Sequence, residues 1–211
     1  MEPRARMVAE QIKARGVRDP RVLDALLRVP RELFIPDDKR CDAYEDRPIP
    51  IGYGQTISQP YIVGYMTEAL RVEPSHRVLE VGTGCGYQTA VLAELAEEVY
   101  SIELLPALAG RARRTLDSLG YANIHVRAGD GYAGWVEHAP FDRILAAAAP
   151  PEIPPALLDQ LADGGILVIP VGVDNQELRV LRKHQDRLEL LSTLGVRFVP
   201  MIRPAAAPDG A

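Results

Sequence analysis

Residues 80–88 read "EVGTGCGYQ", from Glu80 to Gln88. Three glycines, Gly82, Gly84 and Gly86, fall within five residues. They follow the apolar run "RVLEV" (77–81) and open residues 86–96, where Val91, Leu92 and Leu95 recur at helical spacing. That order reads as a buried strand, a tight turn and a helix. Glycine lets the backbone turn sharply there and come close to a bound molecule. In an open parallel sheet such a turn sits at the carboxyl end of a strand, where ligands bind.

Outward from this unit the alternation continues. "VYSIE" (99–103), "IHVR" (124–127), "FDRILAAA" (141–148) and "GILVIPVG" (165–172) read as strands, with helices over 106–119 and near 154–162. Two more strands follow, near 177–183 and 187–198, joined by a polar turn, so one of them runs antiparallel to the rest. The expected fold is α/β: a doubly wound, mostly parallel, Rossmann-like sheet of seven strands with one antiparallel strand and an N-terminal helical segment. Upstream, residues 4–15 read as a helix ended by Gly16. Asp19-Pro20 opens a second, with Val22, Leu23, Leu26 and Leu27 as its apolar stripe. Residues 36–60 hold Pro36, Pro48, Pro50, Gly52, Gly54 and Pro60, and read as a long irregular segment. A loop of that length in a compact domain is often functional. Ser58 is placed as the N-cap of the helix that follows, whose Ile62, Val63, Met66 and Leu70 face inward. One domain is expected over 1–202, with helices and a substrate loop in 1–60, the core in 61–202 and a frayed tail in 203–211.

The acids select the ligand. A dinucleotide fingerprint is Gly-x-Gly-x-x-Gly. Here the third glycine comes one residue early, and Tyr87 stands in its place. No Lys or Arg lies in the loop to neutralise phosphate, and a P-loop Gly-Lys-Ser/Thr is absent. A Glu80 carboxylate aimed into the loop would repel a pyrophosphate and suit an ammonium or sulfonium. Glu103 lies 21 residues after Gly82, the spacing at which an acid accepts hydrogen bonds from ribose. Asp130, in "GDG" (129–131), follows the third strand and suits an adenine amino group. A ribose, a base, a cation and no phosphate describe S-adenosylmethionine, so methyl transfer is the leading reaction. A nicotinamide dehydrogenase is disfavoured by the glycine spacing. A non-catalytic S-adenosylmethionine-binding module would not need the long upstream loop.

Composition sets further bounds. The net charge of −5 argues against a general nucleic-acid binder, although residues 1–40 carry a small excess of Lys and Arg. After the fourth strand the chain reads "AAAAPPE" (146–152), not the Asn/Asp-Pro-Pro-aromatic motif of amino-directed nucleic-acid methyltransferases. Cys41 and Cys85 form no Cys-x-x-Cys, and His76, His125, His138 and His184 are scattered, so no metal site is expected. The charged first 15 residues and the lack of a long apolar run point to a cytoplasmic protein away from membranes.

"VLEVGTGCGYQTAVLA" (78–93), "GDG", "APFDRI" (139–144), "GGILVIPVG" (164–172) and above all "RPIPIGYGQTISQPYIVGYMTEAL" (47–70) resemble the protein-L-isoaspartate O-methyltransferase family. The match runs in order from about residue 5 to "VRFVPM" (196–201). The glycine loop indicates only a methyltransferase; "GQTISQP" is the family-specific part. The resemblance implies repair of damaged proteins and peptides. The acceptor is the free carboxylate of an L-isoaspartyl residue, the donor is S-adenosylmethionine and the product is S-adenosylhomocysteine. It implies cofactor contacts from Glu80, Gly82, Thr83, Gly84, Gly86, Gln88, Glu103, Leu104, Asp130 and Gly131. Leu104 departs from the Arg that several relatives carry. Substrate contacts fall to Gly54, Thr56, Ile57 and Ser58, with Val196 and Phe198 beside the acceptor, and Ser58 matches the family's active-site serine. A monomer is expected. The acceptor carboxylate is ionised at neutral pH, so no general base is required, and Ser58 would hold it rather than attack.

Overall fold

The structure, a computed structural model, describes residues 2–185 and 187–204; most of the expected tail, 205–211, lies outside them. A helical run covers Pro3–Arg15, beginning as α1 (Pro3–Arg6), wound as a π-helix over Met7–Ile12 and ending as a 3-10 turn. Gly16 closes it with φ +104°, a conformation that favours glycine. Helix α2 (Pro20–Arg28) is capped by the Asp19 side chain, which accepts from the Arg21 amide, and Pro20 holds the first position. Val22, Leu23 and Leu26 are buried, whereas Leu27, expected in the same stripe, is exposed.

Residues 36–60 are more regular than their prolines and glycines suggested. They contain a 3-10 turn, Asp37–Asp42, and an antiparallel hairpin of β1 (Ile49–Gly52) and β2 (Gln55–Ile57). Its two turn residues, Tyr53 and Gly54, have φ +56° and +70°, as a two-residue type I′ turn requires. Ile49, Ile51 and Ile57 are buried, which anchors the hairpin to the core. Helix α3 (Pro60–Leu70) begins one residue later than expected. Gln59, not Ser58, occupies the cap and makes no side-chain cap bond. Pro60 explains the shift: it has no amide hydrogen and its fixed φ suits the first helical position.

Then come β3 (Arg77–Val81), α4 (Tyr87–Ala93), β4 (Glu98–Glu103), α5 (Pro106–Ser118), β5 (Ile124–Ala128), β6 (Phe141–Ala146), α6 (Pro155–Gln160), β7 (Leu161–Val171), β8 (Gln176–His184) and β9 (Arg187–Val196). The seven strands β3–β9 form one sheet in the order β5-β4-β3-β6-β7-β8-β9. The first five are parallel to one another. β8 is the antiparallel strand, lying between β7 and β9. β3 pairs with β4 on one side and β6 on the other, so the chain reverses its direction of travel across the sheet there. A binding crevice is expected at that reversal, beyond the carboxyl ends of β3 and β6.

Side chains alternate across the sheet with period two. Val78, Val99, Leu145 and Val168 face one core, shared with Met7, Ile12 and Leu26 and with residues of α3, α4 and α5. Leu79, Tyr100, Ile144 and Leu167 face the other, covered by Leu157 of α6, Trp135 and Met201.

Candidate active site

A cleft opens at the reversal point. Its floor is the loop Gly82–Gln88 and its walls include Ile102, Glu103, Leu104, Gly131, Ala147 and Ala148. The loop folds because Gly82, Gly84 and Gly86 take φ values of +97°, +56° and +94°. Residues with a Cβ would be strained at all three. The turn is pinned from both neighbouring strands. The Gly82 amide donates to Ile102 at 2.8 Å, and the Ala147 amide donates to the Val81 carbonyl at 2.8 Å. Glu103, 7% exposed, accepts from the Gly84 amide at 2.8 Å and the Leu105 amide at 3.0 Å. It is the sole charged side chain on the cleft wall among the described residues. A cleft with one carboxylate and no cation disfavours phosphate and accepts hydroxyl donors or a cationic ligand.

Of the residues expected to hold a cofactor, Gly82, Thr83, Gly84, Gln88, Glu103, Leu104 and Gly131 line this cleft, while Glu80, Gly86 and Asp130 do not. Gly86 is buried behind the loop, where a Cβ would meet Leu116 at 3.3 Å and Ala112 at 3.4 Å, so its small size serves the packing of α4 on α5. The Asp130 side chain turns back to accept from the Tyr132 amide at 2.9 Å. Glu80 is wholly buried on the α4 side of the sheet. It accepts from Thr89 at 2.5 Å and Ser101 at 2.6 Å, and Ser101 in turn contacts the Thr83 hydroxyl at 2.6 Å. The carboxylate therefore reaches the loop from beneath, through two hydroxyls, instead of pointing into it.

Burial raises the Glu80 pKa to about 7 against the opposing hydrogen bonds from Ser101 and Thr89, and its second oxygen has no partner. The folded protein thus keeps this proton to higher pH than the unfolded chain does. Stability falls as pH rises from about 4.5 to about 7, and the full penalty, on the order of 3 kcal/mol, stands above that window. Glu80→Gln should match the wild type near pH 4.5 and exceed it in stability at pH 8. Urea unfolding at several pH values measures the difference, and a pH-independent difference would refute this account.

A second pocket adjoins the first. It is lined by Pro48, Gln59, Ile62, Gln176, Val196 and Phe198 among others, and it shares Thr56, Ser58, Ala147 and Val199 with the cleft. Thr56 and Ser58 thus stand where the two meet and Ile57 lines the first alone, whereas Gly54 sits at the exposed hairpin tip and lines neither. Val199–Ile202 line the cleft as a continuous strap, together with Gln55–Ile57 of the hairpin. The Gln176 amide group donates to the Phe198 carbonyl at 3.1 Å and accepts from its amide at 2.6 Å. Ala149 exchanges bonds with Val199 and Met201 at 2.9 and 2.8 Å, and the Tyr132 hydroxyl donates to the Met201 carbonyl at 3.0 Å.

The family model for protein-L-isoaspartate(D-aspartate) O-methyltransferase matches residues 2–205. The chain belongs to this family. It is 59% identical to a protein-L-isoaspartate O-methyltransferase of Picosynechococcus sp., over 94% of this chain and 89% of that protein. It is 53% identical to one of Gloeobacter violaceus, over 93% and 97%. Among solved structures, a putative protein-L-isoaspartate O-methyltransferase from Plasmodium falciparum in complex with S-adenosyl-L-homocysteine superposes with TM-score 0.80 at 26% identity, covering 95% of this chain and 99% of that one. A further protein-L-isoaspartate O-methyltransferase gives TM-score 0.86 at 28% identity over 93% of this chain, which spans 65% of that protein.

Two parts of the site stand outside the residues expected from the sequence. One is the strap, of which the sequence marks only "VRFVPM"; its pinning by Gln176 and Tyr132 has no local signal. The other is Ala147, which lines both pockets. Its place just past the carboxyl end of β6, beside the reversal, was the available clue.

Proposed function

We propose that this chain is a protein-repair methyltransferase that moves a methyl group from S-adenosylmethionine to the free carboxylate of L-isoaspartyl residues in damaged proteins and peptides. The observation that carries this reading is the junction of the two pockets at Thr56 and Ser58. One pocket suits a phosphate-free nucleoside; the other is open enough for an extended peptide.

When bound, S-adenosylmethionine supplies an electrophilic methyl on a sulfonium. Glu103 accepts from the ribose hydroxyls, and Gly82, Gly84 and Gly131 let the backbone approach. Thr83, Gln88 and Leu104 complete the wall, while Glu80 supports the loop through Ser101 and Thr83. Asp130 acts by shaping the turn that presents Gly131. The Ser58 hydroxyl, with Thr56 and the backbone of Ile57, holds the acceptor carboxylate, and Val196 and Phe198 line the peptide side. Such placement can contribute on the order of 7–11 kcal/mol. An aspartate-type carboxyl has a pKa of about 4, so no residue need remove a proton. Ile57, Val199 and Met201 exclude water, which favours the meeting of an anion and a cation as their charges neutralise.

The protein acts in the cytoplasm, on isoaspartyl proteins and peptides and not on nucleic acid. Support comes from the acidic net charge and the two free cysteines. Among the described residues no helix is long and apolar enough to cross a membrane.

The deciding experiment uses labelled S-adenosylmethionine and two peptides that differ only in isoaspartyl versus aspartyl linkage. Alkali-labile label should appear on the isoaspartyl peptide alone; equal labelling of both, or none, would overturn the proposal. Ser58→Ala removes one hydrogen bond to a charged group, on the order of 1.5–3 kcal/mol. Peptide kcat/KM should fall about tenfold to a hundredfold, with S-adenosylhomocysteine affinity unchanged.

A further inference from the structure

Arg31 opens the short 3-10 turn Arg31–Phe34, and its side chain is completely buried. No carboxylate forms an ion pair with it among the described residues. Its Nε donates to the Ala43 carbonyl at 2.8 Å, and its Nη2 donates to the Ser58 carbonyl at 2.7 Å. The guanidinium carbon lies 4.8 Å from the centroid of the Tyr87 ring. Its third nitrogen, Nη1, and the Tyr87 hydroxyl have no partner. Tyr87 and Cys85 line the cleft, so a desolvated cation sits directly behind its floor. Burying a guanidinium without a counter-ion is costly, and burial lowers its pKa.

That cost secures one peptide group. Ile57 is fixed by pairing with Ile49 in the hairpin, and the Gln59 carbonyl accepts the first helical bond, from the Val63 amide. Ser58, between them, belongs to neither element, and its carbonyl is held by Arg31 alone in the described hydrogen bonds. Without that bond the Ser58 backbone loses the hydrogen bond that anchors it between β2 and α3, and its Cα, Cβ and hydroxyl can shift together.

We infer that Arg31 is the positioning residue for the acceptor carboxylate: by holding the Ser58 carbonyl from inside the core it aims the Ser58 hydroxyl at the junction of the two pockets. The inference rests on the reading of Ser58 as the group that holds the acceptor. A double-mutant cycle separates the two ideas. In the full-length enzyme, Arg31→Met should lower kcat/KM for an isoaspartyl peptide at least tenfold, mainly through KM. Affinity for S-adenosylhomocysteine, measured by calorimetry, should stay within twofold. Arg31→Lys keeps the charge and can reach one carbonyl, so it should recover part of the loss. Combined with Ser58→Ala, either Arg31 variant should add less than twofold, because the hydroxyl it aims is gone.

Peptide kinetics of the wild type in Ser58→Ala would sink the reading of Ser58 itself. An impaired Ser58→Ala with additive or silent Arg31 variants would overturn only the inference about Arg31. A parallel loss of S-adenosylhomocysteine binding would likewise overturn it, since that marks general collapse of the cleft. Should Arg31→Met fail to fold, the same cycle run with Arg31→Lys decides the matter, with an expected threefold to tenfold loss.

Discussion

Glu103→Ala is expected to weaken S-adenosylhomocysteine binding at least a hundredfold. The carboxylate clamps the glycine loop to the end of β4 by accepting from the Gly84 and Leu105 amides, and it stands on the cleft wall. In the proposed complex it would also accept from the ribose hydroxyls. Hydrogen bonds to a charged group contribute on the order of 1.5–3 kcal/mol each, and two of them exceed a hundredfold in affinity. Alanine also frees two amides on a largely dry wall. Glu103→Gln is no mild substitute, because its NH2 group must face the amide of either Gly84 or Leu105, donor against donor. Calorimetry with S-adenosylhomocysteine gives the loss directly. The peptide KM at saturating cofactor should move less than threefold, since Glu103 does not line the second pocket. An unchanged cofactor affinity would remove Glu103 from the site.

Gly131→Ala should also be damaging, for a steric reason. A Cβ at Gly131 would lie 2.4 Å from Cγ1 of Val81, well inside contact distance. Val81 is β-branched and stiff, sits at the end of β3 and lines the cleft itself, so its retreat would enter the binding space. Overpacking of this kind costs about 1–3 kcal/mol. Cofactor affinity should fall tenfold or more as the turn after β5 lifts from the sheet. Gly129→Ala is the control. Its Cβ would meet nothing nearer than 3.6 Å, and it should bind like the wild type. Thermal unfolding with and without S-adenosylhomocysteine reads both effects. Equal behaviour of the two variants would show that crowding against Val81 does not matter.

The sequence announced the parallel core well because its strands are short apolar runs cut by glycine or polar turns. The βα reversal at Gly82–Gly86 then located the crevice. The hairpin β1–β2 was hidden for the converse reason: Pro50 and Gly52 alternate with Ile49 and Ile51, and a tyrosine holds one of the left-handed turn positions. Neighbouring-strand order at the sheet edge was equally hidden, since a hairpin does not state which of its strands joins β7. In the site, Glu103 and the loop glycines were legible because spacing along one βα unit fixes them. Glu80 was misplaced: a strand residue points to one face or the other, and the parity that puts Val81 on the cleft puts Glu80 under it. Arg31 gave no signal, because an arginine in "PRELF" ordinarily reads as solvated.

The strap at Val199–Ile202 has a bearing on how the enzyme comes into being. It lines a cleft together with the hairpin, which is made about 140 residues earlier in synthesis, at rates of roughly 5–20 residues per second. A nascent chain that has emerged through β7 already holds five parallel strands and the acids Glu80, Glu103 and Asp130. It still lacks the last part of its own cleft lining. Competence is therefore the last property the growing polypeptide acquires, because the strap is the last part of the cleft lining to be made.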